Sequence, residues 1–577
     1  MPAPPGRRGG EANEAAASNP GPEKGNPATA PAPARQPFTD ADIKALKDAL
    51  AAQQRQIQAL QEQLQGKSQA LLQVQSNATF ATVNPQDAQG KTNDQEKDVG
   101  EPQKPLIETP LTIHFRGVSI TPGGFAAGEF VRRSRALQAD IATPFNSLTM
   151  PGASQSATSE FIGSARQSRP SIFIASRLKG VELSSYLSAD FLSAGVTSTS
   201  TSTNSYTLRL RQAWGQAKFN HGWSILGGQM WTLLTENKYG IGPSDDAGKV
   251  NDARPATIDS TYNVGFTYAR QYGLRLTRDF ADRVWFAVSM ENPQATLTAH
   301  SNASNFLLGE PGATNSFNST ANYSFNPSPD IIAKLAFEPG FGHYEAFGVF
   351  SRFRDRVFPC AENFKSETCG SLSAASARGA YNASKDGGGV GANARWTFAN
   401  KRIVFGLHGF GGSGIGRYGA GQLSDVSVYA DGTLHLIKGF QGLTTLEWHG
   451  KKLDVYLYSG SEYASRTASF DPLANNRAGA EVGYGAPLFN NSGCYTETLP
   501  TSNSGFAPGT LANCTADTRV LIEGTGGFWY RFYSGPRGTL RFGTQYSYVT
   551  RNTWSGVGGE PHGIDNMVFT SFRYYLP

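Results

Sequence analysis

The sequence predicts an all-β fold: a 16-stranded antiparallel transmembrane β-barrel, with 18 strands as the alternative count, preceded by an N-terminal α-helical coiled coil. Three observations predict it: the composition, a period-2 alternation of greasy and watery side chains along many segments, and a regular alternation of short and long connections between those segments. The composition is Gly 65, Tyr 22 and Phe 35 against Met 5 and 17% charged residues in a chain of 577. That is the profile of a β protein with many turns. No run of about 18 apolar residues is present, so no helix of this chain spans a bilayer, whereas a barrel needs no such run because lipid-facing and lumen-facing residues alternate. The formal net charge of +5 is small for the length and does not point to nucleic acid as a partner.

Residues 1–37 are rich in Pro, Ala and Gly and nearly free of large apolar side chains, so they cannot bury a core and are expected to be disordered. They hold no apolar stretch of the kind a secretory leader requires, and the leader that export needs is expected to precede them. Residues 38–76 follow a different rule. Ile43, Leu46, Leu50, Gln53, Ile57, Leu60, Leu64, Lys67, Leu71 and Val74 recur in steps of three and four, flanked by Gln, Lys, Ala and Glu. A seam this narrow predicts a self-associating coiled-coil helix, and its residues do not fix the number of strands. Residues 77–110 are polar, without periodicity, and read as a linker.

From residue 111 to 577 the pattern is β throughout. The expected strands are 111–119, 170–178, 181–193, 206–219, 223–233, 262–279, 283–291, 330–338, 343–354, 389–399, 402–410, 427–437, 440–460, 519–533, 537–550 and 564–576. Short junctions (179–180, 220–222, 280–282, 339–342, 400–401, 438–439 and 534–536) alternate with eight long ones. Tight turns at one end and long loops at the other are the signature of an outer-membrane barrel, and a β-sandwich has no reason to produce it. Splitting 440–460 near Gly450-Lys451-Lys452 and counting 478–486 would raise the number to eighteen; the preferred reading folds 478–486 into a long loop.

Outward faces follow from parity: Val284, Phe286, Val288 and Met290; Leu540, Phe542, Tyr546 and Tyr548; Val568, Phe572, Tyr574 and Leu576; and Leu208, Leu210 and Trp214. In 262–279 the parity of Tyr262, Val264, Phe266 and Tyr268 would put Arg270 in lipid, at a cost of about 2–4 kcal/mol at the midplane, so a bulge or a strand start is expected near Arg270, returning it to the pore. Arg177, Arg209, Arg211, Arg275, Arg395, Arg531, Arg541 and Arg573 are expected to face the lumen, together with the acids Glu182, Asp190, Glu291, Glu447 and Glu523. An arginine excess in one wall raises the local concentration of anions; the plainer reading is a solvated wall braced by Arg–Glu pairs. Arg132, Arg133, Arg135, Arg166 and Arg169 in and after the first long loop are candidates for a constriction. Cys360 with Cys369 and Cys494 with Cys514 form two local pairs in polar loops, expected as disulfides of an oxidising compartment.

Catalytic signatures are weak or missing. Neither GxSxG nor HExxH occurs, no cysteine–histidine spacing suits a metal, and the GxGxxG match at Gly409 to Gly414 leaves a strand for a Gly-rich loop with no helix after it. No enzyme, metal or cofactor is expected.

Tyr206 to Gly215 (YTLRLRQAWG) followed by Leu226 to Trp231 (LGGQMW) resembles a conserved region of DcaP-like outer-membrane porins. Ala269-Arg270-Gln271 with Leu274-Arg275-Leu276 is similar to an inner-wall segment of that family, with Tyr272 in place of a proline, and Glu291-Asn292-Pro293 is similar too. The resemblance implies a periplasmic coiled coil followed by a homotrimer of 16-stranded barrels whose narrow pores favour anions and admit small carboxylates. The expected function is therefore passive diffusion of small anionic or neutral solutes across the outer membrane of a Gram-negative-type bacterium, with outer-membrane lipid as the surrounding partner. Contact of the helix with peptidoglycan is a further expectation. The alternative is a structural or adhesive protein whose barrel only anchors the helix or the external loops.

Overall fold

The structure is a computed structural model that describes residues 109–192, 208–243, 251–298, 305–311, 322–361, 376–472, 474, 478–500, 511 and 513–577. The expected disordered segment, coiled coil and most of the linker lie outside the described residues. Sixteen antiparallel strands form the wall: β1 Val118–Arg133, β2 Arg169–Leu178, β3 Val181–Asp190, β4 Arg209–Phe219, β5 Trp223–Trp231, β6 Arg270–Phe280, β7 Val284–Glu291, β8 Asp330–Phe337, β9 His343–Val357, β10 Tyr381–Phe398, β11 Ile403–Ser413, β12 Lys438–His449, β13 Leu453–Ala464, β14 Thr518–Gly535, β15 Gly538–Thr553 and β16 His562–Tyr575. Each pairs with its chain neighbour, and β16 closes on β1 with Tyr575 opposite Phe125 and Met567 opposite Arg133. Closure leaves no free edge, which is what lets a sheet sit in hydrocarbon.

The outer surface is apolar around the circumference. Ile172, Ile174, Leu187, Leu274, Leu276, Phe286, Ile331, Leu335, Leu446, Leu457, Tyr546, Val568 and Phe572 are all exposed, while their chain neighbours point inward and are mostly buried. Seven connections at one end are tight, such as 179–180 between β2 and β3 and 536–537 between β14 and β15; the eight at the other end are longer. At the tight end Asp282, Asn400 and Lys401 hold positive φ, the conformation such turns require.

Sixteen is the expected number, reached with two local differences. The segment 427–437 is not wall: Val426–Val428 and Leu434–Leu436 form a hairpin inside the lumen, where Val426, Val428 and Leu434 pack on Phe353. In compensation 440–460 is two strands, with 450–452 as their turn. The first strand also shifts, because 113–115 only pairs back on 118–120, and 120–133, expected as loop, is wall. Its inner face carries Phe125, Ala127 and Val131 beside Glu129, so greasy and watery positions do not separate there. The strand start at Arg270 and the folding of 478–486 into a loop hairpin, Ala480–Tyr484 on Thr467–Asp471, match expectation.

Trp214 faces inward, against expectation. The register slips between Ser188 and Ala189 on β3, so Arg211 is an extra residue on β4 and parity inverts beyond it. Leu210 remains exposed, while Trp214 packs in the lumen with Phe173, Tyr186, Leu226 and Met230.

Candidate functional site

Among the described residues, parts of three long connections fold into the barrel: 134–160, 232–243 with 251–269, and 414–437. Tyr262, Val264 and Phe266, expected on the lipid face, are buried instead in the largest interior cluster beside Ile141, Ile258, Leu423 and Trp529. Their alternation is real, but it serves a ring of aromatics: Trp231 lies 6.0 Å from Tyr262 and 5.8 Å from Phe266, centroid to centroid.

The connection 232–269 approaches the wall so closely that only glycine fits at the contact. A Cβ on Gly460 would lie 1.8 Å from the Val264 carbonyl oxygen, and one on Gly265, itself at φ +85°, 2.1 Å from the Gly442 carbonyl oxygen. Carboxylates of the wall and of one tight turn then accept the backbone N–H groups of this connection. Leu233 N donates to Glu291 at 2.8 Å, Asn237 N to Glu345 at 3.1 Å, Gly240 N to Glu338 at 2.9 Å, Val264 N to Glu523 at 2.8 Å and Gly265 N to Glu462 at 2.8 Å. Gly421 N of 414–437 shares Glu462 at 3.1 Å. A buried N–H must find an acceptor, and here the inward acids supply it.

What remains of the lumen beside this connection includes a cavity of about 290 Å³ lined by Arg169, Lys238, Arg254, Arg541 and Arg573 with the aromatics Phe125, Tyr262, Trp529 and Tyr575; none of its lining residues is acidic. Two of the cations are backed by carboxylates outside the lining: Arg573 donates to Glu129 at 2.7 Å, and Arg254 pairs with Asp252. Arg541 differs. It lies directly opposite Arg531 on β14 and Arg573 on β16, a rung of three arginines across neighbouring strands. Like charges so placed repel. Arg531 is compensated by Asp454 and Arg573 by Glu129, whereas Arg541 has no ion pair among the described residues. Its guanidinium lies 4.1 Å from the Trp529 ring and 4.2 Å from the Tyr575 ring, a cation held by two π faces. Trp529 is fixed in turn by donating from Nε1 to the Ala256 carbonyl at 2.7 Å.

A second basic cluster adjoins it. Asp190 is fully buried and takes both Arg209, through two bonds of 2.9 Å, and Arg211 at 2.6 Å. Arg270 stacks over Trp231 at 4.8 Å and Tyr268 at 5.3 Å. Burial opposes ionisation of the Tyr262 phenol, but Arg254, Arg211, Arg169 and Arg270 outweigh it and bring its pKa down to about 8.

The structure thus gathers Arg169, Arg541 and Arg573 at one cavity and Arg209, Arg211 and Arg270 beside it. It does not bring the other arginines there. Arg275 donates to the Trp231 carbonyl at 2.9 Å, Arg395 is buried against Glu236 at 2.9 Å, and Arg177 faces Glu182 at 3.8 Å near the tight-turn end. Arg133 is buried against Glu160 at 2.7 Å, and Arg166 holds Asp140 at 3.1 Å. Arg135 is half-buried at the start of the first long connection, its N–H on Asp565 at 3.1 Å. Arg132 points outward beside Phe130 and Phe161, because its segment is strand and its parity is the outer one. Parity could not find Lys238 or Arg254, which lie on a connection outside the expected strands, and it set Tyr262 on the lipid face; Trp529 reads in sequence as one strand aromatic among many. Cys494 and Cys514 are bonded; Cys360 is also in a disulfide, and its expected partner Cys369 lies outside the described residues.

The fold is shared with the outer membrane channel DcaP of Acinetobacter baumannii, at 14% identity and a TM-score of 0.51, over 80% of this chain and 98% of that one. The outer-membrane expressed OmpT of Vibrio cholerae (11% identity, TM-score 0.39, 80% and 99% covered) and Salmonella typhi OmpF in complex with daunomycin (10%, 0.40, 81% and 100%) are more distant. No protein-family model and no curated protein matches the chain.

Proposed function

We propose that this protein is an outer-membrane diffusion channel biased toward anions. The observation that carries the reading is the cavity whose lining has five cationic side chains and no carboxylate, with Arg541 lacking an ion pair among the described residues. In a narrow, low-dielectric passage such an imbalance concentrates anions and excludes cations. Lumenal acids exist as well, but none lines this cavity: Glu291, Glu462 and Glu523 accept backbone amides, and Asp190, Glu236 and Glu129 pair with arginines. The fold likeness to a channel supports the location in the outer membrane, and the heptads of 38–76 support an assembly of several barrels, three by the resemblance, with the helix on the periplasmic side.

Reversal potentials in planar bilayers under a KCl gradient test the bias. Arg541→Gln is expected to lower the chloride-to-potassium permeability ratio, and Arg531→Gln, which removes a cation already compensated by Asp454, to lower it less. Equal ratios for the wild type and Arg541→Gln would sink the anion reading. The filling of the lumen by three connections favours a second reading, a barrel that only anchors its helix and loops; it predicts no conductance steps at all.

A further inference from the structure

On β9, inner and outer positions alternate without a break: Glu345, Phe347, Val349, Ser351, Phe353 and Asp355 are buried, and Ala346, Phe350 and Arg352 are exposed. The last three outward positions are Arg352, Arg354 and Arg356, opposite Asp386, Ser384 and Asn382 on β10. The rung immediately below is Phe350 with Gly388, the end of the apolar band at the long-loop side. No other described wall strand carries charge at three successive outward positions.

Among the described residues the three are not consumed by neighbours. Arg352 Nε lies 3.6 Å from Asp386, with the two side chains 50% and 58% exposed, an ion pair of little strength in solvent. Arg354 donates from Nε to the Phe325 carbonyl at 2.7 Å, and Arg356 from Nη1 to Asn382 at 3.2 Å. These bonds orient the forks and leave further N–H donors on each. Successive outward residues of a strand stand about 7 Å apart, so the ladder rises from the edge of the hydrocarbon through the depth of a headgroup layer.

We propose that Arg352, Arg354 and Arg356 form a binding site on the outer wall for phosphate-bearing lipid headgroups of the leaflet at the long-loop side. Guanidinium forks match phosphate oxygens bidentately, and cations just outside the hydrocarbon attract anionic headgroups. One carboxylate, Asp386, opposes three cations, so the strip is net positive where the headgroups lie. The site is independent of the channel reading, since it faces away from the lumen.

Native mass spectrometry of the whole barrel in neutral detergent tests it, with phosphatidic acid, dioleoylglycerol and inorganic phosphate as probes. The wild type is expected to retain phosphatidic acid and not dioleoylglycerol, and Arg352→Gln/Arg354→Gln/Arg356→Gln to weaken that binding about a hundredfold, each arginine contributing about fivefold. Should the triple variant not fold, judged by heat-modifiable migration, Arg356→Gln alone is expected to give the single step. Retention equal to wild type by a folded variant overturns the site. Displacement of the lipid by an equal concentration of inorganic phosphate makes it a free-phosphate site and overturns the lipid assignment. An equal loss from Arg132→Gln, on a different part of the wall, shows diffuse charge and overturns it too.

Discussion

Gly460→Ala separates the wall from the connection that fills it. The new Cβ would meet the Val264 carbonyl oxygen at 1.8 Å and Asn263 Nδ2 at 3.0 Å. Regaining van der Waals distance requires the backbone at 264 to retreat by roughly 1.5 Å or more. A shift of that size takes Val264 N away from Glu523 and Gly265 N away from Glu462, both at 2.8 Å, beyond hydrogen-bonding range. Each such bond contributes about 1–3 kcal/mol, so docking of this stretch weakens by about 2–6 kcal/mol, at least about thirtyfold in the ratio of docked to released forms. Single-channel conductance is expected to rise, and trypsin to cut after Lys238 on the same connection, while the barrel keeps its heat-modifiable migration. Gly524→Ala is the control, since a Cβ there meets nothing within 4 Å. A folded Gly460→Ala barrel with wild-type conductance and wild-type trypsin resistance would refute the reasoning.

Three further outcomes follow from the same geometry. Asp190→Asn removes the partner of Arg209 and of the buried Arg211; anion preference in reversal-potential measurements is expected to rise, and the melting temperature to fall with the about 3–5 kcal/mol cost of an unpaired buried charge. Raising pH from 7 to 9 ionises Tyr262, whose pKa is about 8, and is expected to lower the chloride-to-potassium ratio by adding a negative charge beside the cavity; Tyr262→Phe should remove that step. The stability sign is the reverse, because a phenol that ionises more readily folded than unfolded stabilises the fold as pH rises from 8 toward 10, a gain that melting of Tyr262→Phe should lack. Glu462→Gln keeps an acceptor for Gly265 N and is expected to leave conductance unchanged, whereas Glu462→Ala frees both inward connections and should raise it.

Most of the wall was legible because its physics is local. Lipid outside and water inside impose a two-residue period, and β7, β15 and β16 show it plainly enough to fix both range and facing. Arg270 was legible through a contradiction: a charge on the greasy parity demanded a bulge or a strand start, and β6 begins there. The misreadings share one cause, which is that alternation reports two different environments without naming them. Tyr262, Val264 and Phe266 alternate against the inner wall as other segments alternate against lipid, and 427–437 alternates in an internal hairpin. Trp214 was lost to one extra residue, Arg211, because a single bulge inverts every parity after it.

The proposed anion bias illustrates why charge counts mislead in such a lumen. Arg209, Arg211 and Arg531 had the expected inward facing, yet their charge is spent on Asp190 and Asp454, while Arg541, indistinguishable from them in sequence, keeps its own. The acids Glu345, Glu462 and Glu523 are equally inward and could have offset it. Glu345 is instead paired with the buried Lys334 at 2.7 Å, and none of the three lines the cavity: Glu462 and Glu523 are turned to backbone N–H groups that water no longer serves. The connection that narrows the lumen also brings Lys238 and Arg254 to the cavity, so on the proposed reading constriction and anion preference share one element, and loosening that connection should widen the passage and weaken its selectivity together.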